Sequence, residues 1–116
     1  VSADRNKIRQ VVSNLIDNSV KYTPNGFVKI SLSKIPENGN ILLKVEDSGI
    51  GISAETMPNL FKKFGRAKSL SSIYAGGSGL GLYVAKEIIK AHKGKIWAES
   101  DGEGKGAQFY VELPKN

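Results

Sequence analysis

Cysteine is absent from the 116 residues, and histidine and tryptophan occur once each. The first absence excludes disulfide staples, thiolate metal sites and cysteine nucleophiles. The single histidine, His92, excludes a histidine-rich metal centre and a multi-histidine proton relay. No stretch approaches the roughly 20 apolar residues of a membrane-spanning helix, and no signal peptide opens the chain. An acidic surplus is also missing: 17 Lys and Arg stand against 11 Asp and Glu, for a net charge of +6. That balance suits nucleic acid, phosphate ligands or an acidic partner surface. The length fits one small domain. With 40% hydrophobic and 24% charged residues the chain is of ordinary globular make-up, so a soluble domain of a reducing compartment is expected. Glycine, at 13 residues, is plentiful, and the use of these glycines and of the positive charge is the question the sequence poses.

Periodicity lays out the elements. Ile8, Val11, Val12, Leu15, Ile16 and Val20 recur at steps of three and four, which predicts an amphipathic helix with Asp4 as its N-cap. Thr23-Pro24-Asn25-Gly26 stops it, because proline lacks an N–H and Asn-Gly turns the chain. Alternation over 27–35, with Val28, Ile30 and Leu32 apolar, predicts a half-buried strand, and 41–46 a second one. A glycine-bearing turn occupies 47–53, and Ser53 is placed to cap a short helix to about Phe61. Residues 62–77 have no period and read as a mobile loop. A helix over 79–92 follows, ended by Gly94 as a left-handed cap. Strands over 96–100 and 108–113 are joined by a flexible hairpin at 101–106. The expected fold is α+β: a single two-layer α/β sandwich over 1–116, its mostly antiparallel sheet packed on three helices.

Three features bear chemistry. The first helix carries a polar stripe of Asn14, Asn18, Lys21 and Tyr22, extended by Lys7 and Gln10. Two asparagines at i, i+4 cost helix propensity, and their amide oxygens are hard neutral ligands that suit Mg²⁺ when phosphate oxygens complete the shell; a solvated face is the plain alternative. Asp47-Ser-Gly49-Ile-Gly51 ends a strand, so that two glycines admit a flat ligand and Asp47 can accept from an amine, although an ordinary Asp-Gly turn fits as well. Gly76-Gly77-Ser-Gly79-Leu80-Gly81-Leu82 runs into a helix, where backbone amides and the helix N-terminus form an anion site. The spacing is neither the dinucleotide fingerprint nor a Walker A loop.

Taken together these motifs resemble the ATP-binding catalytic domain of sensor histidine kinases, in the GHKL superfamily with gyrase, mismatch-repair ATPases and heat-shock chaperones. Asn14-Leu-Ile-Asp-Asn18-Ser-Val-Lys21-Tyr22-Thr-Pro is similar to the asparagine box, and Asp47-Ser-Gly-Ile-Gly51 to the first glycine box. Leu60-Phe-Lys-Lys63-Phe-Gly65-Arg66 resembles the phenylalanine box, and Gly77-Ser-Gly79-Leu-Gly81-Leu the second glycine box. The resemblance covers the chain from Asp4 and implies a Bergerat-type fold that binds ATP and Mg²⁺. It implies that Asp47, with Gly49 and Gly51, receives the adenine. Asn18 would hold the metal, Asn14 would support the phosphate–metal end, and Lys21 and Tyr22 would contact phosphate and sugar. The backbone of Gly77, Gly79, Leu80, Gly81 and Leu82 would cap the triphosphate, Arg66 and Lys63 would approach the γ-phosphate, and 68–76 would be the ATP lid. Gly65 stands where the family commonly has an aromatic, and Lys93 where it often has a glycine. A further helix and strand usually precede the asparagine box, so the chain reads as an excised domain with one sheet edge exposed.

In gyrase-type relatives a glutamate activates water at the position of Asn14. An amide has no useful basicity, so the resemblance implies transfer to a protein nucleophile instead of hydrolysis. The acceptor would be a histidine on a separate helical dimerisation domain, absent here, with a response regulator as indirect partner. His92 falls in the last turn of a helix, where positive charge suits the dipole, and is not expected to be phosphorylated. No contact with a membrane or nucleic acid is expected of this chain, and its setting would be cytoplasmic, whether or not the parent is membrane-anchored. An anti-sigma-type serine kinase or nucleotide-binding regulatory module is the near alternative. A basic nucleic-acid-binding domain is the distant one, weakened by the scatter of the basic residues.

Overall fold

The first helix, α1 (Arg5–Lys21), begins where the sequence places its cap. Asp4 is extended, and its carboxylate accepts from the backbone N–H groups of Asn6 and Lys7 at 3.0 and 3.1 Å. The computed structural model describes residues 4–63 and 80–115. Four strands follow the alternation: β1 (Val28–Lys34), β2 (Ile41–Asp47), β3 (Lys95–Glu99) and β4 (Ala107–Leu113). They form one sheet in the order β1-β2-β4-β3, every neighbouring pair antiparallel. The register sets Ile41 opposite Leu113 and Asp47 opposite Ala107, with Val28 on the other side of Asp47.

A second helix, α2 (Gly81–Ala91), packs beside α1 on one face of the sheet. The core lies between the layers. Val11 and Leu15 of α1, Ala85 and Ile89 of α2, and Val45, Phe109 and Val111 of the sheet are almost wholly buried. β4 shows the pleat directly: Ala107, Phe109, Val111 and Leu113 are buried and the residues between them are not. On the open face Trp97 stacks on Tyr110 with centroids 5.1 Å apart, and the Lys44 ammonium lies 5.8 Å from the Tyr110 ring. The two-layer α/β sandwich is therefore as expected.

Three local expectations change. The short helix after Ser53 is a capped turn and a single 3₁₀ turn at Met57–Asn59. Ser53 does cap it, its Oγ accepting from the Thr56 N–H at 3.1 Å. The segment has only a few side chains to bury, chiefly Leu60 with Met57 and Phe61, which is too little to repay α-helix nucleation. At the end of α2 the left-handed residue is Lys93, with φ 61°, and not Gly94. The Lys93 and Gly94 N–H groups bond the Lys90 and Ile89 carbonyls at 3.0 and 2.9 Å, a Schellman closure. Gly94 is needed for space, since a Cβ there would stand 2.5 Å from the Glu112 carbonyl oxygen. Finally, β1 is an edge strand, and its inward-facing Ile30 and Leu32 are 49% and 71% exposed. The two described helices lie chiefly over β2 and β3, so neither covers them.

Candidate functional site

The polar stripe of α1 runs between the first glycine motif and the start of α2. At its middle, Asn14 donates from Nδ2 to the Gly81 carbonyl at 3.1 Å. This bond ties α1 to the first turn of α2 and fixes the Asn14 amide, so its oxygen is turned away from Gly81. One turn on, the Asn18 Nδ2 is buried without a partner among the described residues. Lys21 is the last helical residue and Tyr22 the C-cap, both half-buried. The Tyr22 carbonyl accepts from the Ile50 N–H at 3.0 Å, which brings the end of the stripe onto the first glycine motif.

Asp47 is 5% exposed at the end of β2, and its Oδ1 accepts from the Gly49 N–H at 2.9 Å. The turn is thus the aspartate-led one that the sequence suggests. Both its glycines are required, for different reasons. A Cβ on Gly49 would stand 2.1 Å from the Tyr22 carbonyl oxygen, so the helix end approaches too closely for any side chain. Gly51 has φ +76°, and its Cβ would meet the Gly102 carbonyl oxygen at 2.1 Å.

Sequence reasoning missed what holds this turn. The hairpin at 101–106, expected to be flexible, grips it. The Gly104 N–H donates to the Ile50 carbonyl at 2.7 Å and the Gly106 N–H to the Gly49 carbonyl at 3.2 Å. Ser100 is the pivot: its Oγ accepts from the Ile52 N–H at 3.1 Å and donates to the Gly106 carbonyl at 2.7 Å. The available signal was the alternation Gly102, Gly104, Gly106, all three with positive φ.

At the other end, Leu80 is the N-cap of α2. Among the described residues no side chain caps the first amides of α2, an arrangement that suits an anion from outside the helix. Gly81 is exposed, whereas the Leu82 side chain belongs to the core and only its backbone can serve the site. The Lys63 Nζ lies 5.3 Å over the Tyr83 ring, beside this first turn. Arg66, Gly77 and Gly79, with the expected lid at 68–76, lie outside the described residues. Among the described residues no group of three His, Asp or Glu could hold a metal. A divalent ion would rest instead on neutral amide oxygens and on oxygens that a ligand brings; at Asn18 no partner among the described residues holds the Nδ2, so the amide is free to turn its oxygen to such an ion.

His92 stands apart. One ring nitrogen, Nδ1, bonds the Ile88 carbonyl at 2.8 Å, and the other, Nε2, accepts from the Asp4 N–H at 3.1 Å. Both nitrogens are used in pinning the end of α2 to the start of α1.

Comparison with known proteins agrees with this geometry. Residues 3–116 match the family described as histidine kinase-, DNA gyrase B-, and HSP90-like ATPase. The chain is 41% identical over 115 residues to the sensor histidine kinase WalK of Bacillus subtilis (strain 168), covering 98% of this chain and 19% of that protein. It is 34% identical to the solved catalytic domain of the histidine kinase ThkA, with a TM-score of 0.79 over 97% of this chain and 70% of that one. The solved full-length ShkA in complex with AMPPNP is 29% identical, with a TM-score of 0.78 over 93% of this chain and 21% of that one. The chain thus spans about a fifth of the WalK kinase that it matches. No helix among the described residues is long and apolar enough to cross a membrane. Four motifs in order along the sequence, a two-layer sandwich, and a match along nearly the whole length lead to one assignment: the chain belongs to the histidine kinase-, DNA gyrase B- and HSP90-like ATPase family, as an ATP-binding catalytic domain of the histidine-kinase type.

Proposed function

We propose that this chain binds ATP with Mg²⁺ and is the phosphoryl-donor part of a larger two-component sensor kinase, acting on a histidine of a separate helical dimerisation domain. The observation that carries the reading is Asp47. It is a buried carboxylate with a single backbone N–H donor, and no cation pairs with it among the described residues. Such a group calls for a donor from a ligand, and the exocyclic amine of adenine supplies one. Gly49 and Gly51 let the end of α1 and the 101–106 loop close on the turn that carries it.

The remaining residues then divide a nucleotide between them. Lys21 and Tyr22 contact phosphate and ribose. The amides of Leu80, Gly81 and Leu82, continued by Gly77 and Gly79, hold the triphosphate at the start of α2. Asn18 holds Mg²⁺ through its amide oxygen, and Asn14, anchored on Gly81, supports the same end. When bound, the ion would screen the phosphate charge during transfer. Arg66 and Lys63 neutralise charge on the γ-phosphoryl as it leaves. Asn14 cannot take a proton from water, which favours transfer over hydrolysis. His92 is a poor acceptor, because the lone pair of Nε2 is engaged by the Asp4 N–H and Nδ1 faces a carbonyl. In this reading the phosphoryl group passes from the acceptor histidine to a response regulator, and the chain acts on the cytoplasmic side. The surplus of positive charge serves the triphosphate and not nucleic acid.

The test is calorimetric titration of ATP, with and without Mg²⁺, on the chain and on Asp47→Asn. Saturable binding strengthened by Mg²⁺ is expected, and the variant loses most of it, since its amide can face the adenine amine donor to donor. Unchanged affinity in Asp47→Asn refutes the adenine assignment. With γ-labelled ATP and a separately supplied histidine-bearing dimerisation domain, acid-labile label is expected on that domain; label on His92 contradicts the transfer scheme.

A further inference from the structure

Helix α2 begins without an anion of its own. Its first turn, Gly81-Leu82-Tyr83, holds no acidic residue. A helix N-terminus carries a partial positive charge, which disfavours a nearby cation. A lysine ammonium nevertheless stands there. The Lys63 Nζ lies 5.3 Å from the centroid of the Tyr83 ring, and Tyr83 is the third residue of the helix. Lys63 is exposed, and no carboxylate pairs with it among the described residues. A lysine head is strongly hydrated and sits on a flexible four-carbon stem, so with nothing to hold it the ammonium would leave the dipole for open water. The face of the Tyr83 ring is what holds it.

The backbone on each side of this contact is anchored. Leu60 is buried in the core, and Phe61 meets Phe109 edge to face with centroids 6.3 Å apart, so the chain is fixed two residues before Lys63. Gly81 is tied to α1 through the Asn14 amide at 3.1 Å. Leu82 and Ala85 are buried, which fixes the rotation of the helix and with it the half-buried ring of Tyr83. Two positive features that repel each other are thus held together, an arrangement that an anion relieves. An ammonium resting on a ring with one side still has N–H donors to offer on the other.

We propose that Tyr83 is a positioning residue that holds the Lys63 ammonium at the start of α2, where it meets the terminal phosphate of the nucleotide. This rests on the reading above, in which Lys63 approaches the γ-phosphoryl group. Tyr83 itself acts through Lys63: it spares the side chain a search among rotamers and offsets the repulsion of the dipole. ADP lacks the phosphate that Lys63 meets, so the ring matters for ATP and not for ADP. The ring face makes the contact, so phenylalanine replaces tyrosine and leucine does not.

The experiment is calorimetric titration with ATP and with ADP, in Mg²⁺, of the chain, Tyr83→Phe, Tyr83→Leu, Lys63→Met and the double variant Tyr83→Leu with Lys63→Met. Tyr83→Leu is expected to bind ATP about two- to fivefold more weakly, the worth of an exposed cation–π contact, and ADP as before. Tyr83→Phe binds both like the unaltered chain. Lys63→Met loses affinity for ATP alone, and adding Tyr83→Leu to it costs nothing further. In the NMR spectrum of the unaltered chain the ε-methylene protons of Lys63 are shifted upfield by the ring, a shift that Tyr83→Phe keeps. Absence of that shift overturns the inference whatever the variants do. Equal losses for ATP and ADP in Tyr83→Leu reduce the ring to packing, and tighter ATP binding there means that it competes with the phosphate; either result refutes the proposal. If Lys63→Met keeps its full preference for ATP over ADP, the γ-phosphate reading of Lys63 is wrong, and if the unaltered chain binds no nucleotide, the ATP reading beneath both is wrong.

Discussion

Alanine at Gly106 and alanine at Gly104 should have very different costs, although the two glycines are two residues apart in one loop. Both have left-handed backbones, with φ +71° and +77°. An L-residue in that region costs about 1–2 kcal/mol, and this part is common to both. The surroundings differ. A Cβ on Gly104 meets nothing within 4 Å, whereas one on Gly106 would stand 2.3 Å from the Asp47 carbonyl oxygen and 3.2 Å from the Ser48 Cα. Since real contacts of this kind do not fall below 3.0 Å, the loop and the end of β2 must part by about 0.7 Å. Both sides of that contact are backbone, so no flexible side chain can yield. Forcing a methyl group into a packed site costs about 1–3 kcal/mol more. Gly106→Ala should therefore lose about 2–5 kcal/mol and Gly104→Ala about 1–2. Urea denaturation measures both, and the difference between the variants removes the shared backbone term. Titration with ATP reads the second consequence: only Gly106→Ala shifts Asp47, so only it should weaken binding in the fraction that remains folded. Equal losses of stability, or equal ATP affinities, would refute the claim that this loop holds the aspartate turn.

Further outcomes follow from single contacts. Lys93→Gly relieves the left-handed residue that ends α2, and after the greater freedom of the unfolded chain is deducted should stabilise by about 0.5–1 kcal/mol, raising the melting temperature by about 3 °C; a fall would contradict the cap geometry. Ser100→Ala strips an acceptor from the Ile52 N–H and a donor from the Gly106 carbonyl, so thermal melts should show a loss of about 1–3 kcal/mol. Asn14→Asp sets a carboxylate oxygen against the Gly81 carbonyl in place of a donor. Repulsion there disfavours the charged form and raises the folded-state pKa, so the variant's deficit should shrink as pH falls and the protonated acid can donate again. Urea midpoints at neutral and acid pH check this, and a deficit that is independent of pH would count against the contact.

What the sequence made legible, and what it did not, divides along the distance over which each feature is decided. Helix α1 is settled locally: a cap at Asp4, apolar steps of three and four, and a Thr-Pro-Asn-Gly stop all lie within the segment. The aspartate turn at 47–51 was readable too, because its carboxylate and its glycines are neighbours in sequence. The grip of 102–106 on that turn was not, since it joins segments some fifty residues apart and its glycines taken alone read as slack. The same holds at the end of α2. A glycine one place further along looks like the natural left-handed residue, and only the packing of Gly94 on Glu112 shows that it is needed for space while Lys93 takes the strained backbone. The exposure of Ile30 and Leu32 also escapes a reading by alternation, which tells which residues share a face and not whether a second layer reaches that face. Ser19, beside Asn18, looks in the sequence like part of a polar stripe, whereas its side chain is wholly buried.

The strand order has a consequence for how the domain comes into being. β4 is last of the four strands in sequence, yet it lies between β2 and β3, with Phe109 wholly buried. As the chain leaves the ribosome, β1 and β2 can meet as a hairpin, but β3 has no neighbour until 107–113 arrives to fill the gap. The partner of Asp47, Ala107, belongs to that same late segment. Closing so long a span is slow compared with helix or hairpin formation. The turn led by Asp47 is accordingly among the last parts to be assembled, and a chain that stops short of 107–113 has no weakened version of it to offer.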